Sequence, residues 1–91
     1  MRFRYSYEKN SKLLQERGIG FEEIICAISE GNLLDILHHY NQDRYPGQKI
    51  LYVRVLQDVY AVPYVEEDDG CIFLKTLFAS RKARKKYLGY L

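Results

Sequence analysis

The pattern of apolar and polar residues in the first third of the chain predicts a short strand followed by two helices. Apolar and polar side chains alternate over residues 2–7, which is typical of a half-buried strand. Helix-forming residues over 8–17 follow a capping serine, Ser6, and end at Gly18, which can adopt the left-handed conformation of a helix C-cap. A second helix ends before Gly31. Its apolar side chains recur at the spacing that covers one helical face: Phe21, Ile24, Ile25 and Ile28.

From residue 33 onward the spacing of apolar residues changes to that of strands. Four strands are predicted, over residues 33–38, 49–56, 59–65 and 71–79. Their short connections are typical of antiparallel hairpins. Pro63 cannot donate a hydrogen bond, so we expect its strand to be interrupted or bulged there, or to have its free side facing outward. Ser80 then caps a basic helix that runs to Tyr87.

Together these elements predict a single α+β domain over residues 1–91. Their order is β-α-α-β-β-β-β-α, and we expect the helices to pack on one face of an antiparallel β-meander. No apolar segment approaches the roughly 20 residues that span a bilayer. The first residues also lack the apolar core of a secretory signal. We therefore expect a cytoplasmic protein whose two cysteines, Cys26 and Cys71, are reduced.

The charges are segregated along the chain, although the net charge is only +2. Residues 1–17 carry a balance of +3, residues 18–74 a balance of −7 and residues 75–91 a balance of +6. If the fold brings the two ends together, one face of the protein is strongly cationic. Such a face attracts polyanions, of which nucleic acid is the commonest in a cell. The alternative is that the last segment is a solvated basic tail.

The basic C-terminal helix concentrates groups that bind phosphate. Helical spacing gives it one face with Arg81, Arg84 and Lys85 and another with Lys82, Lys86 and Tyr87. Arginine binds phosphate through two parallel hydrogen bonds, and lysine supplies a mobile point charge. The nine tyrosines add aromatic surface on which bases can stack, although tyrosine in strands more often packs within the sheet.

The sequence gives little support for a metal site or for a glycine-rich phosphate-binding loop. The available metal ligands are Cys26, Cys71, Asp35, His38 and His39. They lack the spacing of metal-binding motifs, and adjacent residues on a strand point to opposite faces. A glycine-rich phosphate loop is also missing from the sequence. We therefore expect neither a metal nor an organic cofactor.

Three segments of the sequence resemble the BrnT family of bacterial type II toxins. They are Tyr7-Glu8-Lys9-Asn10, Arg17-Gly18-Ile19-Gly20-Phe21-Glu22-Glu23, and Ser80-Arg81-Lys82-Ala83 followed by Tyr87. They occur in the family's order, and the resemblance spans nearly the whole chain, from Tyr7 to Tyr87. The resemblance implies a fold similar to RelE-type ribonucleases, with two N-terminal helices against an antiparallel sheet. It also implies RNA cleavage and a cognate antitoxin that silences the toxin, with operator DNA bound only through the antitoxin.

The chemistry that the resemblance implies is metal-independent cleavage of RNA. The 2′-OH attacks the adjacent phosphorus while cations stabilise the transition state and acid–base groups move protons. For these roles we predict Arg81 as the phosphate ligand and Lys75 as a supporting charge. His38 or His39 is the predicted proton-transfer group. Further RNA contacts are predicted at Lys9, Lys82, Arg84, Lys85, Lys86 and Tyr87.

Two other functions fit the same basic face. The protein could bind RNA or DNA without cleaving it, or it could be an inactive toxin homologue that acts only in a protein complex. An Arg81→Ala variant separates the binding protein from the enzyme. Loss of a catalytic group mainly lowers kcat, whereas loss of one phosphate contact among several mainly lowers affinity.

Overall fold

The structure, a computed structural model, describes residues 1–89 and folds them into three helices and six strands. The helices are α1 (Tyr7–Arg17), α2 (Phe21–Ser29) and α3 (Arg81–Leu88). The strands are β1 (Phe3–Tyr5), β2 (Leu33–His38), β3 (Lys49–Val55), β4 (Asp58–Glu66), β5 (Ile72–Leu74) and β6 (Phe78–Ala79). The predicted α+β class is confirmed. The last two positions of the predicted domain lie outside the described residues.

Local sequence determines where the helices begin and end. The hydroxyl of Ser6 accepts a hydrogen bond from the backbone N–H of Lys9 at 3.1 Å, which caps α1. Gly18 ends this helix in the left-handed conformation, with a φ of 72° that a side chain would disfavour. The hydroxyl of Ser80 caps α3 in the same way, through the N–H of Ala83. The predicted caps of both helices are therefore confirmed.

The sheet is mixed rather than purely antiparallel. Its strands lie in the order β1-β5-β4-β3-β2, and β6 also pairs with β4. The pairs from β2 to β5 are antiparallel, as predicted. The first strand instead lies parallel to β5, with Phe3 opposite Ile72 and Tyr5 opposite Leu74. The predicted meander is wrong at this edge, because alternating side chains indicate a strand but not its direction.

The strand that pairs with β4 on the side away from β3 is broken opposite Pro63. The predicted strand over residues 71–79 is divided into β5 and β6. The backbone N–H of Lys75 donates to the carbonyl of Pro63 at 2.8 Å. The N–H and the carbonyl of one strand residue point to the same neighbouring strand, so an N–H on residue 63 would also face Lys75. Because proline cannot return a hydrogen bond, the regular ladder stops and resumes only at Phe78. The expected interruption of the strand that holds Pro63 is wrong, because β4 runs unbroken through this residue and is paired on both sides; the break lies in the partner strand.

Helices cover both faces of the sheet. On one face α1 and α2 form the main core, which includes Leu13, Phe21, Ile24, Leu51, Val53 and Val62. On the other face α3 lies against β4, with Ala83 buried. Strand alternation places Val62 in the main core and Val59 and Ala61 on the side of α3, and all three are buried. A sheet with two apolar faces needs cover on both, so the prediction of helices on one face is wrong for α3.

Candidate functional site

A groove of about 490 Å³ lies between α3 and the sheet face beneath it. The end of β2 and the residues after it form one wall, and α3 forms the other. The centres of β3 and β4 lie between these walls, with Phe78 of β6. The volume falls within the roughly 300–1,000 Å³ of sites that hold small ligands. We therefore treat this groove as the candidate functional site.

The floor of the groove is apolar and aromatic. It is formed by Leu37, Ile50, Tyr52, Ala61 and Phe78. Because Tyr52 lies between two residues of the main core, strand alternation turns its ring toward the groove. Its ring centroid lies 5.8 Å from that of Tyr87 on α3. Tyr40 also lines the groove and is 83% exposed. Aromatic faces of this kind can stack an unpaired base.

Helix α3 places positive charge along one side of this floor. Lys82 and Lys86 are one helical turn apart, and both line the groove together with Tyr87. The Nζ of Lys86 lies 5.2 Å from the centroid of the Tyr87 ring. The small side chain of Ala83 is buried beneath the helix and allows a close approach to the sheet. The helix face predicted for these two lysines and Tyr87 is the face that meets the groove.

Side-chain contacts at two points hold α3 on the sheet. The hydroxyl of Tyr87 donates a hydrogen bond to Oδ2 of Asp35 at 2.6 Å. The guanidinium of Arg84 forms an ion pair with Asp58 at 3.2 Å. Burial and the bond to Asp35 raise the pKa of Tyr87 to about 12. The same hydrogen bond lowers the pKa of Asp35, so its carboxylate is charged at neutral pH.

The two adjacent histidines occupy different environments. His38 is exposed and lies at the β2 end of the groove. His39 is only 7% exposed, and its ring centroid lies 4.5 Å from those of both Tyr40 and Tyr45. Its Nδ1 accepts a hydrogen bond from the backbone N–H of Asn41 at 3.0 Å. His39 therefore stabilises the loop between β2 and β3, and of the two histidines His38 is the one that lines the groove.

The other predicted catalytic residues are not gathered at this site. Arg81 and Lys75 are exposed, and neither lines the groove. The Nζ of Lys75 instead lies 5.4 Å from the centroid of the Phe73 ring. Of the predicted RNA ligands, Lys9 belongs to α1 on the opposite face of the sheet, and Lys85 does not line the groove. The structure thus gathers His38, Lys82, Lys86 and Tyr87 of the predicted set at the groove and places the other predicted residues elsewhere.

Sequence reasoning missed the floor of the groove and the partner of Tyr87. The strand pattern holds a signal for Tyr52, which stands between the apolar residues of a buried strand. It holds none for Asp35, because the face that this residue occupies depends on an irregularity in β2. Asp35 becomes recognisable as part of this site only once α3 is placed on the sheet.

Within residues 1–89, no group of three or more His, Cys, Asp or Glu side chains is placed to hold a metal ion. In the same part of the chain, no helix is both long and apolar enough to cross a bilayer. Cys26 is exposed, Cys71 is buried, and both are free thiols.

Comparison with known proteins gives no match. No family model, no curated protein and no solved structure is similar to the chain at a significant level. The resemblance to the BrnT family therefore stays a prediction that rests on the three segments quoted above. The function of the groove is accordingly inferred from its geometry and chemistry.

Proposed function

We propose that the protein is a metal-independent ribonuclease of the type II toxin class and that it binds RNA in the groove beneath α3. The observation that carries the proposal is that Lys82 and Lys86 lie beside an aromatic floor. Single-stranded nucleic acid is bound by this combination, because cations follow the backbone and aromatic faces stack the bases. A duplex keeps its bases stacked inside, so an aromatic floor fits unpaired RNA better.

The proposed reaction is an internal attack within the RNA. His38 accepts the proton of a 2′-OH, and the oxygen attacks the adjacent phosphorus to form a 2′,3′-cyclic phosphate. The bond from phosphorus to the 5′ oxygen breaks, and the protonated imidazole returns its proton to that oxygen. Lys82 and Lys86 stabilise the negative charge that builds on the phosphoryl oxygens. This route uses side chains only, so we expect cleavage to persist in EDTA.

The toxin class is supported by the resemblance of three segments to the BrnT family. In that family the partner is a cognate antitoxin, and operator DNA is bound only through it. We propose the same partner for this protein. The proposal predicts that expression arrests the growth of a bacterial host and that a neighbouring gene relieves the arrest.

The ribonuclease activity is tested with purified protein and single-stranded RNA in EDTA, with the products resolved on a gel. We expect the wild-type protein to cut the RNA and a His38→Ala variant, purified in parallel, to lose most of the activity. Intact RNA after incubation with the wild-type protein would overturn the proposal. Equal cleavage by both proteins would remove His38 from the mechanism.

Binding without cleavage is the second candidate function, and one observation favours it. Arg81 and Lys75, the residues predicted to stabilise the transition state, do not line the groove. A groove without them can still hold a phosphate backbone through Lys82 and Lys86. The two functions are separated by assaying binding and cleavage on the same RNA. Salt-dependent binding with no product identifies the binding protein.

A further inference from the structure

We infer that Asp35 is a positioning residue that fastens α3 over the sheet and thereby builds the RNA groove. The inference rests on the proposed function. Asp35 carries negative charge beside a groove lined by two lysines, and this charge opposes the approach of phosphate. We therefore expect the Asp35 carboxylate to have a role other than contact with RNA. Its two hydrogen bonds indicate a role in holding α3.

A β-bulge in β2 determines which face of the sheet Asp35 occupies. Leu33 pairs with Val53 and Asp35 pairs with Tyr52, so the register shifts by one residue between them. Regular alternation would return Asp35 to the face of Leu33, which packs against the main core. The bulge turns it instead to the face of Tyr52, which is the groove side. The extra residue thus brings the carboxylate to α3.

Both oxygens of the Asp35 carboxylate accept hydrogen bonds at this position. The backbone N–H of Ile36 donates to Oδ1 at 2.9 Å, which orients the side chain on its own strand. The Tyr87 hydroxyl donates to Oδ2 at 2.6 Å. The Tyr87 ring also lies beside that of Tyr52, with the centroids 5.8 Å apart. The carboxylate is therefore fixed by β2 and holds the last turn of α3.

The bond to Tyr87 controls the direction in which α3 presents its lysines. Tyr87 follows Lys86 directly, and Lys82 lies one turn earlier on the same side of the helix. This helix has eight residues, five of them basic, and neighbouring like charges weaken it. Contacts with the sheet must therefore hold it in place. Without the bond to Asp35, α3 keeps its contact between Arg84 and Asp58 but loses the one at its last turn, and we expect the lysine side of the groove to be less well ordered.

Two substitutions at Asp35 distinguish its role in holding α3 on the sheet from the effect of its negative charge on RNA binding. Asp35→Ala removes both the hydrogen bonds and the charge. Asp35→Asn removes the charge but keeps both contacts, because its oxygen can still accept from the N–H of Ile36 and its amide can donate to the Tyr87 oxygen, which reverses the direction of that hydrogen bond. We expect Asp35→Ala to bind a short single-stranded RNA about tenfold more weakly than the wild type. Asp35→Asn should bind at least as tightly as the wild type, since the repulsion of phosphate is gone.

Hydrogen exchange of the α3 backbone amides gives a second readout that needs no RNA. We expect faster exchange in Asp35→Ala and exchange like that of the wild type in Asp35→Asn. If the wild type binds no RNA while exchange follows this pattern, the proposed function fails and the fastening of α3 stands.

Three results for RNA binding would overturn the inference. Tighter binding by both variants would mean that Asp35 acts only through its charge. Unchanged binding by both would mean that it has no role in the groove. Equally weakened binding by both would mean that the charge itself is needed. Equal amide exchange in all three proteins would overturn the fastening of α3 independently of RNA.

Discussion

The side-chain oxygen of Asn10 accepts a hydrogen bond from the backbone N–H of Phe21 at 2.8 Å and so joins α1 to the first turn of α2. In the same corner, the carboxylate of Glu23 accepts from the N–H of Gly20. These contacts satisfy backbone donors that a helix N-terminus leaves unpaired. Two of the three segments that resemble the BrnT family therefore build a helical corner, and neither lines the groove.

A side chain at position 20 should disrupt this corner. A Cβ on Gly20 would overlap Oδ1 of Asn10 and lie 3.1 Å from Cγ of Leu14. We expect Gly20→Ala to lower the free energy of unfolding by about 1–3 kcal/mol, because Asn10 must release Phe21. Chemical denaturation measures the change. In an Asn10→Ala background the same substitution should cost less, and an equal cost in both backgrounds would contradict the role of Asn10.

Lys85 and Lys86 are adjacent and exposed on α3, but of these two only Lys86 lines the groove. We expect Lys86→Ala to weaken RNA binding and to lower the dependence of log affinity on log salt by about one. Lys85→Ala is the matched control and should change the affinity and its salt dependence much less. Fluorescence anisotropy of a labelled single-stranded RNA at several salt concentrations measures the difference. Equal effects would show that RNA responds to the general charge of α3 rather than to the groove.

The two histidines should respond in opposite ways to substitution. His39→Ala removes a buried ring that packs between Tyr40 and Tyr45, so we expect a loss of about 1–3 kcal/mol in the free energy of unfolding. At a temperature where the variant stays folded, its RNA cleavage should be largely kept. His38→Ala should leave the melting temperature nearly unchanged and abolish cleavage. If His39→Ala removed the activity of a fully folded protein, the structural role given to His39 would be wrong.

Tyr87 should make the stability of the protein sensitive to alkaline pH. Its pKa is raised from an ordinary value of about 10 to about 12, by burial and by the bond to Asp35. A raised pKa means that the folded state favours the protonated hydroxyl, so this stabilisation is complete below pH 10 and is lost between pH 10 and about 12. The difference in unfolding free energy between the wild type and Tyr87→Phe should shrink over that window. A difference independent of pH would exclude the Asp35 bond as its source.

The ends of the helices could be predicted from the sequence because they depend on neighbouring residues. Ser6 and Ser80 need only a backbone N–H three positions ahead, and Gly18 needs only its own conformational freedom. The effect of Pro63 could be predicted only in part, since proline lacks a donor in any sheet but its own strand continues and the break lies in the partner strand. The helix caps carry over from sequence to structure without knowledge of the fold.

The groove could not be predicted because it depends on how distant elements are placed. The local sequence does not indicate which face of the sheet α3 covers. The position of α3 places Lys82 and Lys86 on the face opposite to that of Lys9. In β2, one extra residue reverses the face of the residues after it, so alternation alone would place Asp35 in the core. The packing of His39 against Tyr45 becomes apparent only when the loop after β2 is folded.

Nuclear magnetic resonance of the backbone amides, recorded while a short single-stranded RNA is added in EDTA, decides whether the groove beneath α3 binds RNA. A His38→Ala protein keeps the RNA intact during the titration. We expect the largest shifts at Leu37, Tyr40, Tyr52, Phe78, Lys82 and Lys86. Residues of α1 and α2, on the opposite face of the sheet, should remain nearly unaffected. Shifts centred on α1 and α2, or no shifts at all, would contradict the proposed site.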